Sequence, residues 1–575
     1  MKVIEPLFLN ELKEAFENAR GNNNKLNQLL YRIKNIKIFD PACGSGNFLI
    51  IAYKELRRLE MEIFKEMGSL ALSEISLNQF YGIEIDDFAH DIAILALWLT
   101  KHQMNVEFFK EFGRTNPTLP LTDAGNIVQG NACRLDWEEV CPKGENDEVY
   151  ILGNPPYLGA RMQNPTQKEE MKLVFEGRKE YKDSDYIACW FIKGANYIVN
   201  VNAKYAFVST NSVCQGEQVT YFWPKIFDLG IEFGFAYQSF KWVNNAKGNA
   251  GVTVIIVGLR NRVNKAKKLF TNKQVILTTK INPYLSVGNS QFITLRKEPL
   301  TISFPKMVMG SMARDGGHLI LSSEEQEKLF EDYPQSRTVI RKLVGAQELI
   351  QGKERYCLWI EDDDLLEVQN IPIIKDRIQM VFEVRKSSKA KTTNGYASIP
   401  HKFAQRSHKE SHSIIIPSVS SSRREYIPMG FLDNETVIVA PNLAIYDSEV
   451  NLLSILSSKM HMIWVKTVAG RLKTDYRYSS TLVYNTFPFP HISKQRKEEL
   501  TQCILNIIDQ RLKYSEKTLA QLYDPDKMPE GLKEAHRQND LAVERCYRST
   551  PFSSDEERLE YLFKLYEKMI QEEKR

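Results

Sequence analysis

Two short stretches carry residue types at spacings that could do chemistry. The first is DPACGSGNF, residues 40–48, in which Gly44 and Gly46 stand between an apolar run and a stretch of helical periodicity. Glycine lets the chain turn sharply and lets a ligand approach the backbone, and the first amides of the following helix then face that ligand. Asp40 adds a carboxylate at the end of the apolar run. A negative neighbour repels phosphate and suits a ligand that carries an ammonium or sulfonium group. The chain has no GKS or GKT and no GxGxxG, which disfavours phosphate-cradling sites, and a NAD-dependent dehydrogenase with them. In YGIEID, Glu84 sits at the tip of a second apolar run, where a carboxylate can grip ribose hydroxyls.

The second stretch is NPPY, residues 154–157, which follows the apolar run EVYIL and Gly153. Pro155 and Pro156 donate no hydrogen bond and stiffen the loop. The Asn154 side chain and the Pro155 carbonyl can then present two fixed acceptors, which match the two protons of an exocyclic amine. Tyr157 offers a flat face for a planar base. A base in a duplex must swing out of the stack to reach such a pocket. Taken singly, GSG reads as a helix-entry turn and NPPY as a proline turn; the two in register make a stronger signal. Cytosine C5 chemistry would need a Pro-Cys nucleophile, and the chain has no such pair, so Cys43 and Cys214 read as small core or loop residues.

These residues need elements to position them. Strand candidates are residues 36–40, 80–85, 126–130, 148–152, 204–209, 231–237 and 251–259, most of them separated by helical stretches such as 48–67. The βαβα order predicts a parallel, doubly wound sheet, with ligands at the carboxyl ends of its strands. From about 290 to 490 the expected strands are short and irregular, and residues 385–413 read as a long polar surface loop. Beyond PFPHISKQ the sequence is helical and highly charged, and 555–575 has the pattern of an amphipathic helix. The expected organisation is 1–290, 291–490 and 491–575.

The 575 residues are 43% hydrophobic and 26% charged with net charge +4, an ordinary globular balance in which any nucleic-acid surface must be a local patch. The eight cysteines form no CxxC pair, so neither a zinc ribbon nor a disulfide framework is indicated, no metal is expected, and a reducing cytoplasm fits best. The start shows no signal-peptide core. The most apolar stretch, IAILALWLT at 92–100, is too short to span a bilayer and reads as a buried helix, so no membrane partner is expected.

DPACGSGNF together with NPPY resembles the class I, S-adenosylmethionine-dependent amino-methyltransferases. The resemblance implies a Rossmann-like α/β core with S-adenosyl-L-methionine as cofactor. It places Asp40, Gly44 and Gly46 around the methionine end of the cofactor, with Pro41, Ala42, Asn47 and Phe48 in the same motif, Glu84 on the ribose, and Asn131 and Ala132 near the adenine. Asn131 departs from the many relatives with aspartate there. By the same resemblance, Asn154, Pro155, Pro156 and Tyr157 hold the target amine. NPPY favours adenine N6, whereas relatives acting on cytosine N4 more often begin with serine.

IIIPSVSSSRREYIPMGF (414–431) and MHMIWVKTVAGRLKTDYRYSSTLVYNTFPFP (460–490) interleave Arg and Lys with Ser, Thr and Tyr, types that bind phosphates and base edges. A solvated basic face is the plain alternative. With AQELIQGKERYCLWI (346–360) and YKELRRLE (53–60), these stretches resemble the MmeI-like, type IIL restriction–modification enzymes over nearly the whole chain. The resemblance implies an α+β target-recognition domain after the α/β core, then a helical tail. It also implies double-stranded DNA as partner, with Arg423, Arg424, Arg471, Lys473 and Arg477 as DNA contacts. Members carry a nuclease domain and helical spacer that would precede residue 1, so no cleavage is expected from this chain, and a separate chain supplying those parts is a candidate partner. The expected activity is site-specific adenine-N6 DNA methylation. The alternatives are a weakened DNA-binding remnant and an RNA or protein-glutamine amino-methyltransferase.

Overall fold

Near-continuous apolar runs form strands when both faces of a sheet are covered, and all seven expected runs do so here. The computed structural model describes residues 1–69, 72–114, 125–242, 252–272, 274–472 and 474–574. Its strands are β1 (Ile36–Asp40), β2 (Phe80–Glu84), β3 (Asn126–Gln129), β4 (Glu148–Gly153), β5 (Ala203–Thr210), β6 (Ile231–Trp242) and β7 (Val252–Asn261). Two further strands, β8 (Lys267–Phe270) and β9 (Val275–Thr278), complete one nine-stranded sheet in the order β3-β2-β1-β4-β5-β7-β6-β8-β9.

The sheet is not wholly parallel, which corrects the sequence expectation. β1 to β5 pair in parallel, whereas β7 lies antiparallel between β5 and β6. Only nine residues separate β6 from β7, fewer than the dozen or more that a parallel crossover requires.

The helices around this sheet are α1 (Asn10–Ala19), α2 (Asn23–Lys34), α3 (Asn47–Met67), α4 (Asp87–Phe112), α5 (Trp137–Val140), α6 (Pro165–Val174), α7 (Ala188–Ile198) and α8 (Gln218–Asp228). Alternation along β1 sends its side chains to opposite faces. Ile36 and Ile38 join one core with Leu26 and Leu29 of α2 and Leu49 and Leu56 of α3. Phe39 turns the other way, with its ring 5.4 Å from Trp137 and 6.2 Å from Tyr197. Both faces being filled, β1 is held rigidly, and its last residue, Asp40, is fixed with it. The run at 92–100 lies in α4, but only one side of it is buried: Ala93 and Leu97 enter the core, whereas Leu95 and Leu99 are exposed.

Residues 1–292 form one compact unit and 293–575 another. In the second unit, Met307–Met309, Leu443–Tyr446, Ser413–Ile416 and Gly430–Leu432 build a four-stranded sheet. A second four-stranded sheet and a small three-stranded one accompany it. The stretch 385–413 is not the expected surface loop. It contains helix Lys391–Gly395 and a 3-10 turn at Tyr396–Ser398, gathered around a buried Arg385. The Arg385 guanidinium donates to the carbonyls of Ala313, Arg314, Tyr396, Ile399 and Lys402. A basic residue in a polar run looks solvated in sequence; five converging carbonyls bury it instead. The tail is helical, with long helices Lys494–Leu512, Glu530–Tyr547 and Asp555–Glu573.

Candidate active site

The glycine turn follows β1 and leads into α3. Gly44 has φ +54° and Gly46 φ +80°, left-handed backbone that side-chain-bearing residues rarely adopt. A Cβ on Gly44 would meet nothing within 4 Å, so its backbone is open to an approaching group, whereas one on Gly46 would come into ordinary contact with Ala93, 3.4 Å from its Cβ. Glu84, at the end of β2, closes the turn: its Oε2 accepts from the Gly44 amide at 2.8 Å and its Oε1 from the Ile85 and Asp86 amides at 3.0 Å. Trp190 of α7 ties down the other side by donating from Nε1 to the Pro41 carbonyl at 3.1 Å.

Asp40 lies beneath this turn, 1% exposed. Its Oδ1 accepts from the Ala42 amide at 3.0 Å, and its Oδ2 has no partner among the described residues. Burial pushes its carboxyl up to about 8, because an ion is disfavoured where water is excluded. The packing depends on Gly153, whose Cβ, if it had one, would come 2.6 Å from Asp40 Oδ1.

NPPY begins where β4 ends. Asn154 is exposed, and no described residue hydrogen-bonds its side chain; Pro155 is buried, Pro156 exposed and Tyr157 half-buried. The loop is braced from behind. Asp185 Oδ1 accepts from the Leu158 amide at 2.9 Å, and Gln163 Nε2 donates to the carbonyls of Leu158 and Ser184 at 3.0 Å. Two stiff prolines on a braced loop hold the Asn154 amide in a narrow range of positions.

Both motifs open on one cavity of about 540 Å³, within the range of small-ligand sites. Of the residues singled out in the sequence, Pro41, Ala42, Gly44, Glu84, Asn131, Ala132, Asn154 and Pro156 line it. Asp40, Gly46, Asn47, Pro155 and Tyr157 support that wall without lining it, and Phe48 packs on the hydrophobic core. The Asn131 side chain is engaged twice, donating from Nδ2 to Glu170 at 2.8 Å and accepting at Oδ1 from the Cys133 amide at 2.9 Å.

Sequence reading missed Ile83, Ile85, Gly130, Asn164, Thr166, Gln167, Glu170, Tyr186 and Trp190 of the wall. Ile85 had a local signal: it is an isoleucine directly after the acidic strand tip and is 64% exposed, apolar area that a flat ligand could cover. Glu170, Tyr186 and Trp190 had none, because α6 and α7 reach the cavity only through the fold.

In the second unit, the basic residues gather at the three-stranded sheet of Val419–Ser420, Asp475–Arg477 and Gly470–Leu472. Arg471 stacks on Tyr476, 3.8 Å from the ring centroid, and donates to the carbonyls of Thr474 and Lys466. Arg477 is exposed in the facing strand. Arg423 pairs with Asp526 at 2.7 Å, and burial lowers the half-buried Arg424 below its ordinary value. Lys473 lies outside the described residues. A larger cavity, about 780 Å³, lies elsewhere in this unit, among Glu449, Phe489, His491 and Tyr547, and holds none of the expected residues. Among the described residues no His, Cys, Asp and Glu cluster could hold a metal, and no helix is long and apolar enough to cross a membrane.

Comparison with known proteins accounts for both units. Residues 16–271 match the MmeI DNA-methyltransferase domain, 287–491 the MmeI target recognition domain and 492–572 the MmeI C-terminal domain. The chain is 48% identical over 580 aligned positions to DNA methyltransferase A of Bacillus subtilis strain 168, across 99% of its own length and 66% of that protein's. It is 25% identical over 177 positions to a type II restriction enzyme and methyltransferase of Escherichia coli, covering 26% of this chain and 17% of that one. The chain thus spans just under two thirds of the first relative and a small part of the second. A solved structure of the type IIL restriction–modification enzyme MmeI in complex with DNA superposes with TM-score 0.85 at 37% identity, covering 99% of this chain and 77% of that one.

Proposed function

The chain belongs to the MmeI family, and on that premise we propose that it methylates the N6 amine of adenine at a specific site in double-stranded DNA. One observation carries this reading: the glycine turn with the Glu84 carboxylate and the unpartnered Asn154 amide open on the same cavity. S-adenosylmethionine, when bound, supplies a methyl group on a sulfonium centre.

The residues present fit that cofactor. The Cβ-free backbone at Gly44 admits close approach, and the buried Asp40 supports the turn from behind by accepting from the Ala42 amide. Glu84 Oε1 already carries two amide donors, but Oε2 carries one and retains an acceptor lobe for a ribose hydroxyl. Ile85 provides apolar surface beside it. Asn154 Oδ1 and the Pro155 carbonyl accept the two protons of the target amine. That draws electron density from the N–H bonds and leaves the nitrogen lone pair directed at the methyl donor. With S-adenosylmethionine bound, the nitrogen would take the methyl group as the S–CH3 bond leaves its electron pair on sulfur, and would then release one proton to solvent, so no covalent bond to the protein is needed. Tyr157 gives the extruded base a face to stack on.

Residues 287–491 would choose the site, with Arg471 and Arg477 on the small sheet and Arg423 and Arg424 at the end of its neighbouring strand as contacts to phosphates or base edges. DNA and cofactor meet in the cytoplasm, where we place the reaction. The test is transfer of labelled methyl from S-adenosylmethionine to duplex DNA. Asn154→Ala should abolish transfer while a mobility shift shows DNA binding retained. Equal loss of both would remove Asn154 from the chemistry.

A further inference from the structure

Glu170 is carried by α6 to the wall of the cavity, next to Asn131 and Ala132, and is 2% exposed. Its Oε1 accepts twice, from Asn131 Nδ2 at 2.8 Å and from Arg134 Nε at 3.1 Å. Its Oε2 accepts once, from the Tyr186 hydroxyl at 2.5 Å. Burial holds that hydroxyl well above its ordinary value, so it stays protonated and remains a donor. A carboxylate offers about four acceptor positions. Oε1 is filled, and Oε2 has one left. The Ala132 amide, on the same wall, donates to no described residue.

A buried carboxylate is costly unless its lone pairs are met. Here the fold meets three and leaves the fourth on the wall of a ligand cavity that Ala132, with its unused amide donor, also lines. An acceptor and a donor on one wall complement the adenine edge that carries the N6 protons and the N1 lone pair. A 6-oxo purine reverses both groups and would set lone pair against lone pair.

We infer that Glu170 determines the nucleobase of the cofactor, its Oε2 accepting an N6 proton of adenine. This rests on the methyltransferase reading above. Asn131 is then a positioning residue, holding Glu170 through Nδ2 while its own oxygen is engaged by Cys133. Glu170 arrives from α6, 39 residues beyond Asn131, so the specificity contact comes from outside the motif that forms the adenine end.

The test is calorimetric titration with S-adenosylhomocysteine and with its 6-oxo counterpart, S-inosylhomocysteine, for wild type and Glu170→Gln. Wild type should prefer the adenosyl ligand by at least about tenfold, the size of one well-paired base-edge contact. Glu170→Gln keeps the shape and can still meet Tyr186, but adds an amide donor. It should weaken the adenosyl ligand by about tenfold and leave the inosyl ligand unchanged or tighter, so that the preference collapses. Equal loss of both ligands would make Glu170 a purely structural brace and overturn the inference. Wild type binding both equally would overturn it too, while sparing the cofactor reading, and that comparison stands even if the variant does not fold. Wild type binding neither would overturn the cofactor reading and the inference together.

Discussion

Gly153→Ala puts a methyl group where the buried Asp40 carboxyl now sits. The added Cβ would lie 2.6 Å from Oδ1 and 3.2 Å from Cγ. An ordinary carbon–oxygen contact is about 3.4 Å or more, so one partner must move by most of an ångström. Neither moves freely. Gly153 is in register with Phe207 in a central strand pair, and Asp40 with Gly82. Overpacking of a filled interior costs about 1–3 kcal/mol. If the carboxyl turns away, the Ala42 hydrogen bond is lost, about 1 kcal/mol more. Chemical denaturation should therefore show a loss of about 2–4 kcal/mol. The cycle with Asp40→Ala isolates the cause. Without the carboxyl the methyl group has room, so the same glycine substitution should cost well under 1 kcal/mol in that background, a coupling of the size seen for residues in contact. Strictly additive losses would refute the proposed clash, as would a Gly153→Ala protein as stable as wild type.

Two further predictions follow from the charges. The Asp40 carboxyl is held at about 8 by burial, against 3.8 ordinarily, so between those values the folded chain keeps a proton that the unfolded chain releases. Its contribution is fully present below about pH 4 and is lost as pH rises through about 8, with a slope of at most about 1.4 kcal/mol per pH unit. Asp540, pushed up to about 7 by burial, has the same sign over a narrower window. Asp40→Asn should flatten the wild-type slope between pH 5 and 8, and equal slopes in denaturation series would contradict it. Arg477 is exposed, so Arg477→Ala should leave the melting temperature unchanged but weaken DNA binding. If it meets a phosphate, the salt slope of binding should drop by about 1; unchanged affinity and slope would take Arg477 off the DNA face.

Much of the first unit was legible because its signals are local. The apolar runs of β1 to β7 say strand in any context, and DPACGSGNF and NPPY each say turn. Strand direction is not local. The run that became β7 would read the same parallel or antiparallel, and only the short chain between it and β6 decides. The four-residue strands β8 (KKLF) and β9 (VILT) are too short to stand out from their polar surroundings. Gly153 looks like the last small residue of a strand until the register sets it against Asp40. Glu170 looks like one more charge on the helix PTQKEEMKLV until α6 turns it inward. In the second half the partners are far apart in sequence. Arg423 meets Asp526 across 103 positions and Arg385 gathers carbonyls from 313 to 402, pairings that no spacing rule reports.

Site-specific adenine methylation is tested most directly by expressing the chain in a host without adenine methylation of its own. Its genomic DNA is then read by single-molecule sequencing beside that of an Asn154→Ala control. The predicted result is one short sequence motif carrying N6-methyladenine in the wild-type DNA and none in the control. Modified adenines that persist in the control, or unmodified DNA despite demonstrated cofactor and DNA binding, would contradict it.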